Sequence, residues 1–151
     1  AKTMLYSSIG RGPVSGIASG TAVTVLVQSS STTTSLMVPL VGSGVLTARD
    51  IYPFTLGANI GTCITAIIAA LGVGGLMAEP ALQIALVHFV YNLLAVLLIF
   101  GLPWLREIPP VLSGLLANRV AKQKVLGLVY ILSVFFALPF GFLLLSGFKL
   151  P

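Results

Sequence analysis

The chain has 151 residues, of which 57% are hydrophobic and 7% charged, with a formal net charge of +5. Soluble domains are about a quarter charged, so a mean hydropathy of +1.09 excludes an ordinary water-soluble fold and points to an all-α membrane protein. The basic residues stand at segment ends without forming a dense patch, so the charge does not suggest nucleic acid as a partner. The one cysteine, Cys63, excludes an internal disulfide.

At about 20 residues per spanning helix plus connections, the length allows four or five membrane segments. Transporters commonly repeat such a unit twice, and the expectation is a single membrane domain over residues 1–151, a fragment or one half of an inverted-repeat transporter. No charged leader followed by a short apolar run and a small-residue cleavage site is visible.

Residues 1–12 form a polar start with Lys2 and Arg11. The apolar run that follows, 13–27, would reach roughly 22 Å as a helix at about 1.5 Å per residue, short of a hydrocarbon core of about 30 Å. Then come eight uncharged polar residues in a row: Gln28, Ser29, Ser30, Ser31, Thr32, Thr33, Thr34 and Ser35. A second short apolar run, 36–41, closes the segment. Two arms too short to cross, joined by a polar tip, predict a re-entrant hairpin over 13–41, whose non-helical backbone must face protein or a wet cavity. The rival is one long helix with a hydroxyl-rich face. Eight consecutive polar positions point all around a helix, which argues against it.

After a connection at 42–51, the stretch 52–71 is apolar and holds TLGANIGT, with Gly57, Asn59 and Gly61. Glycine admits positive φ and asparagine tolerates it, so a broken helix is expected here. Its exposed N–H and carbonyl groups would suit ions. For the two glycines alone, close helix packing of the small-xxx-small kind is an equal alternative. Asn59, Thr62 and Thr65, spaced by three, favour a site.

Residues 81–102 form a full span with Gln83, His88 and Asn92. His88 invites a proton-relay reading, but a neutral ring hydrogen-bonded inside the bundle is the expectation. Glu79 and Pro80 before it are ordinary helix-start residues. A basic amphipathic connection at 103–125, with Leu112, Leu115, Leu116 and Val120 at helical spacing, precedes a last span at 126–148, which Pro139 would kink. With a hairpin entering and leaving on one side, Lys2, Arg11, Arg49, Arg106, Arg119, Lys122 and Lys124 share a face and only Lys149 is opposite. The positive-inside rule then makes loops 1–12, 42–51 and 103–125 cytoplasmic.

A membrane site rich in hydroxyls and amides, without a buried acid or base, suits a solute that brings its own counterions. Sodium takes oxygen ligands, and a small oxyanion takes N–H and O–H donors. Each offsets the other's desolvation. The chemistry points to sodium-coupled anion symport without naming the anion. No Walker-type loop, Cys/His cluster or nucleophile–base pair is present, so no enzyme is expected, no cofactor and no metal beyond sodium.

The segment QSSSTTTSLMVPLVGSGVLTARDIYPFTLGANIGTCITAIIAAL resembles the type II sodium-phosphate cotransporters. Their hallmark is QSSS followed about 30 residues later by G-[AS]-N-I-G-T, once in each of two inverted repeats. One copy of each occurs here, at Gln28–Ser31 and Gly57–Thr62. With ALQIALVHFVYN further on, the likeness spans roughly residues 12–147 and is to the second, C-terminal repeat. The resemblance implies sodium-coupled symport of inorganic phosphate in the plasma membrane. It implies phosphate at Ser29, Ser30 and Ser31, sodium at Gln28, Ser29, Asn59, Thr62 and Thr65, and an N-terminal repeat or second copy as partner within the lipid. Many animal members carry serine at the position of Ala58, which puts one sodium site in doubt. The alternatives are a related phosphate exporter or other anion transporter, or a non-transporting scaffold subunit.

Overall fold

The computed structural model describes residues 12–146, and every element among them is helical. In chain order these are α1 (Pro13–Val27), α2 (Ser30–Ser35), α3 (Val38–Gly42), α4 (Ala48–Leu71), a 3-10 turn (Gly75–Met77), α5 (Ala78–Gly101), α6 (Pro103–Lys122), α7 (Lys124–Leu132), a π turn (Ser133–Ala137) and α8 (Leu138–Leu145). Lys2, Arg11 and Lys149, which entered the orientation argument, lie outside the described residues, as does the end of the span expected over 126–148. Three helical stretches are long and apolar enough to cross a membrane: Ala48–Leu71, Gly75–Gly101 and Lys124–Leu145. By compactness the chain divides at residue 110 into two units.

In the first unit, α1 starts behind Gly12 with Pro13 at its first position, where the missing N–H costs nothing. It ends at Gln28, whose φ of 58° is the only positive value on a non-glycine residue among those described. So the polar row does not sit inside one long helix. Its first two residues break the helix, and the next six form a separate short one.

The helix α4 begins with a capping box. Thr47 Oγ1 accepts from the Asp50 N–H, and Asp50 Oδ2 accepts from the Thr47 N–H at 2.8 Å. From there it runs without interruption to Leu71, through Gly57, Asn59 and Gly61. The break expected in this helix is absent, and the glycines serve the alternative use. Gly16, Gly20 and Thr24 form a buried stripe on α1, and Gly57 and Gly61 a matching one on α4. A methyl group on Gly20 would overlap the Phe54 carbonyl, one on Gly57 the Ile17 carbonyl, and one on Gly61 the Thr24 side chain. With the backbones this close, the Thr21 hydroxyl lies 2.9 Å from the Ile17 carbonyl and 3.0 Å from that of Gly57, sharing its proton between two helices.

The seam also sets direction. Ile17 meets Gly57, Gly20 meets the Ala58 amide, and Thr24 meets Gly61, so α1 and α4 run parallel. The chain between them must therefore return. Extending the register backwards sets Ala48 near the start of α1, so residues 28–47 travel back roughly 24 Å at about 1.5 Å per helical residue. The return path packs where it should: Met37, Leu46 and Phe54 are buried together, with Val23, Leu40, Val41, Val45 and Ile51 against them. Next, α5 returns antiparallel along α4. Cys63 Sγ approaches the His88 carbonyl at 3.7 Å, and Tyr52 stacks on Phe100 at 6.1 Å.

The second unit, from Val111, holds the end of α6, a break at the extended residue Gln123, and the apolar stretch from α7 to α8. Its large side chains, Phe135, Phe136 and Phe142 among them, are exposed. At the kink expected from Pro139, the structure places the π turn immediately before it, with the Leu138 N–H on the Ser133 carbonyl. Proline has no N–H for the usual bond one turn back, and the wider turn relieves the clash.

Candidate functional site

The helix break is a pair of caps back to back. Gln28, in the left-handed region, closes α1 with its own N–H on the Thr24 carbonyl at 2.7 Å. Ser29 is extended and opens α2, its Oγ accepting from the Thr32 N–H at 3.2 Å and from the Thr32 hydroxyl at 3.0 Å. Serine is among the best N-caps because its oxygen replaces a missing intrahelical acceptor.

The eight polar residues then separate into two groups. Ser29, Thr32, Thr33 and Thr34 are committed locally. Thr33 donates to the Ser29 carbonyl at 2.9 Å and Thr34 to that of Ser30 at 2.8 Å. These bonds let hydroxyls sit inside an apolar environment. By contrast, the side chains of Gln28, Ser30, Ser31 and Ser35 make no hydrogen bond among the described residues, and Gln28, Ser31 and Ser35 are exposed.

The second motif is arranged differently from the expectation. Asn59 is exposed, and at roughly 100° per residue it points away from the Gly57–Gly61 stripe and hence from α1. Thr62 donates to the Ala58 carbonyl at 3.1 Å and Thr65 to that of Thr62 at 2.8 Å. Thr65 lies one turn beyond Gly61 on the α1 side, and the parallel register sets it level with Gln28. The short helix α2 packs against α4. No hydrogen bond joins Gln28–Ser31 to Asn59, Thr62 or Thr65 among the described residues. Because α4 stays intact, its backbone is occupied by its own helix and is not opened for ions as a broken helix would be. Ala58 is fully buried.

Sequence reasoning missed Thr21 and Thr24. The available signal was the spacing of four from Gly16 to Gly20 to Thr24 on an apolar helix, with Thr21 next to Gly20. Thr24 is fully buried, and its hydroxyl has no partner among the described residues. Among the described residues the His88 ring does not find the hydrogen bond expected of it either: His88 is exposed, and Asn92 Nδ2 donates to its backbone carbonyl at 3.0 Å. Among the described residues no cluster of His, Cys, Asp and Glu could hold a metal ion.

Three apolar helices of spanning length, an all-helical core and a neutral, oxygen-rich helix break define an integral membrane protein. Residues 2–146 match the Na+/Pi-cotransporter family, and the chain belongs to that family. It is 43% identical over 133 residues to the human sodium-dependent phosphate transport protein 2B, covering 86% of this chain and 19% of the relative. It is 43% identical over 120 residues to the bovine 2B protein, covering 80% of this chain and 17% of the relative. With the rabbit 2A protein it shares 44% over 120 residues, covering 80% and 18%. The chain thus spans less than a fifth of the length of these relatives. No solved structure matches it.

Proposed function

We propose that this chain is the second, QSSS-bearing repeat of a sodium-coupled symporter of inorganic phosphate. In this reading Ser29, Ser30 and Ser31 bind phosphate, and Gln28, Ser29, Asn59, Thr62 and Thr65 bind sodium, with a further repeat completing both sites. Segment 13–41 is the re-entrant hairpin. The segments 42–51 and 103–125 face the cytoplasm, and the membrane is the plasma membrane.

One observation supports the reading above the others. At the break, the threonines satisfy their hydroxyls on their own helix, while the Gln28 amide and the Ser30 and Ser31 hydroxyls make no hydrogen bond among the described residues. Polar side chains left unengaged in an apolar segment cost free energy unless something binds them. Sodium ions and an oxyanion are what a donor and acceptor set without charge can take together. The printed names of the relatives, sodium-dependent phosphate transport proteins, agree with that chemistry.

The test is uptake of radiolabelled phosphate by the full-length protein in proteoliposomes. Uptake is expected to require sodium and to saturate with it. Equal uptake in choline medium would overturn the coupling, and uptake of other anions in preference to phosphate would change the substrate. Uptake unchanged by alanine at all of Gln28–Ser31 would leave a scaffold role for the polar row.

A further inference from the structure

A cavity of about 180 Å³ lies at the opposite end of the α1–α4 pair from the helix break, lined by Pro13, Arg49, Tyr52, Pro53, Phe100, Arg106, Glu107 and Pro110. Half of its lining residues are apolar, Pro13, Pro53, Pro110 and Phe100, and Tyr52 stacks on Phe100. The rest is charge. Arg49 Nη2 is 3.0 Å from one Glu107 oxygen, and Arg106 Nε is 4.0 Å from the other. Two guanidinium groups thus share one carboxylate, leaving a net charge of +1 in an apolar cup, which focuses the field on a small anion.

Two further features give the cup its sign. The helix α1 opens onto it through Pro13, with no side-chain cap and no acid in its first turn. Its N-terminal partial positive charge adds to that of the two arginines, whereas the Thr47–Asp50 box closes the start of α4. The ion pair itself is weakly held. Arg49 is 67% exposed and Glu107 47%, so its contribution to stability is small and another anion can replace the carboxylate at little cost.

We propose that this cavity is a second phosphate station, in which Arg49 and Arg106 take inorganic phosphate in place of Glu107 as the ion passes between the helix break and the face read as cytoplasmic. This rests on the reading that the protein carries phosphate. Guanidinium is suited to the task because its planar fork matches two oxygens of a tetrahedral phosphate. Glu107 is then the internal competitor: it keeps the arginines in place when the cavity is empty and sets how weakly phosphate is held. A station on a transport path must release its ion, so partial neutralisation is what the role requires.

The phosphate group of a lipid headgroup has the same chemistry, and the experiment separates the sources. The full-length protein is reconstituted in phosphatidylcholine vesicles with this face accessible. Modification of Arg49 and Arg106 by phenylglyoxal is followed by mass spectrometry, with inorganic phosphate or with chloride at equal ionic strength. Phosphate is expected to slow both by about threefold or more, the scale of a half-exposed charge interaction. No protection, or protection only when anionic phospholipid is added, overturns the proposal.

Transport supplies the second arm. Arg49→Gln and Arg106→Gln are expected to raise the half-saturating phosphate concentration on this face by about threefold, and Glu107→Gln to lower it, with the opposite face unchanged. A merely structural ion pair predicts the same direction for Arg49→Gln and Glu107→Gln, and that result overturns the proposal. If the protein moves no phosphate at all, the function above fails, while the protection assay still decides the site.

Discussion

Two stretches of this chain carry the same outward signs of a broken helix, and only one of them breaks. At Gln28–Ser35 the polar residues include their own caps: Gln28 adopts the left-handed conformation, and Ser29 supplies an oxygen to the next helix. At Gly57–Thr62 the glycines invite a break, but they are the points at which α4 touches α1. The comparison teaches that glycine permits unwinding without causing it. Where a neighbouring helix fits into the space that glycine leaves, the intact helix gains contacts along its whole length. Dispersion between close backbones is the main source of helix association in lipid. A capping side chain acts differently, because it satisfies the orphan N–H groups that a break creates.

The largest effect is expected from Gly57→Leu. The new side chain would run into the Ile17 backbone, which cannot move aside as a flexible side chain can. Overpacking costs about 1–3 kcal/mol or more, and loss of folded protein by size-exclusion chromatography in detergent is the expected outcome. Gly42→Ala, at a glycine with nothing near it, should stay within about 0.5 kcal/mol of the parent. Equal behaviour of the two variants would mean that the seam does not exist.

Position 28 comes next, where backbone and side chain can be separated. Gln28→Gly removes the strain of a positive φ, about 1 kcal/mol, and should leave thermal stability equal or higher while abolishing the phosphate uptake proposed above. Gln28→Val should lower stability by a similar amount, since a β-branched residue tolerates that conformation worst. If Gln28→Gly transports normally, the side chain is there for the fold alone.

Smaller still are two neighbouring hydroxyls with opposite expectations. Thr21→Val removes the bond to the Gly57 carbonyl and should cost about 1 kcal/mol. Thr24→Val removes a buried hydroxyl that lacks a partner among the described residues and keeps the shape packed on Gly61. It should be neutral or slightly stabilising, within about 0.5 kcal/mol. A marked loss of transport by Thr24→Val with stability intact would assign that hydroxyl to the ion path.

Much of the architecture was legible because a bilayer reads composition directly. Apolar runs of spanning length had to be helices, since no other lone segment satisfies its backbone in lipid. The helix starts at Pro13 and Ala78 carry ordinary start signals, whereas the capping box at Thr47 starts α4 at Ala48, four residues before the expected 52. The break at the polar row followed from eight neutral polar residues that no single helix face could hold. What the sequence could not determine is what each small residue does, because glycine has no side chain to declare a purpose. Only the tertiary structure decided that Gly57 and Gly61 receive α1 while Asn59 turns away. It also decided that Arg49 and Arg106, more than fifty residues apart, share Glu107. Spacing along a chain specifies which residues share a helix face, but which face meets a neighbour depends on how two backbones fit, and that fit exists only once both helices are in place.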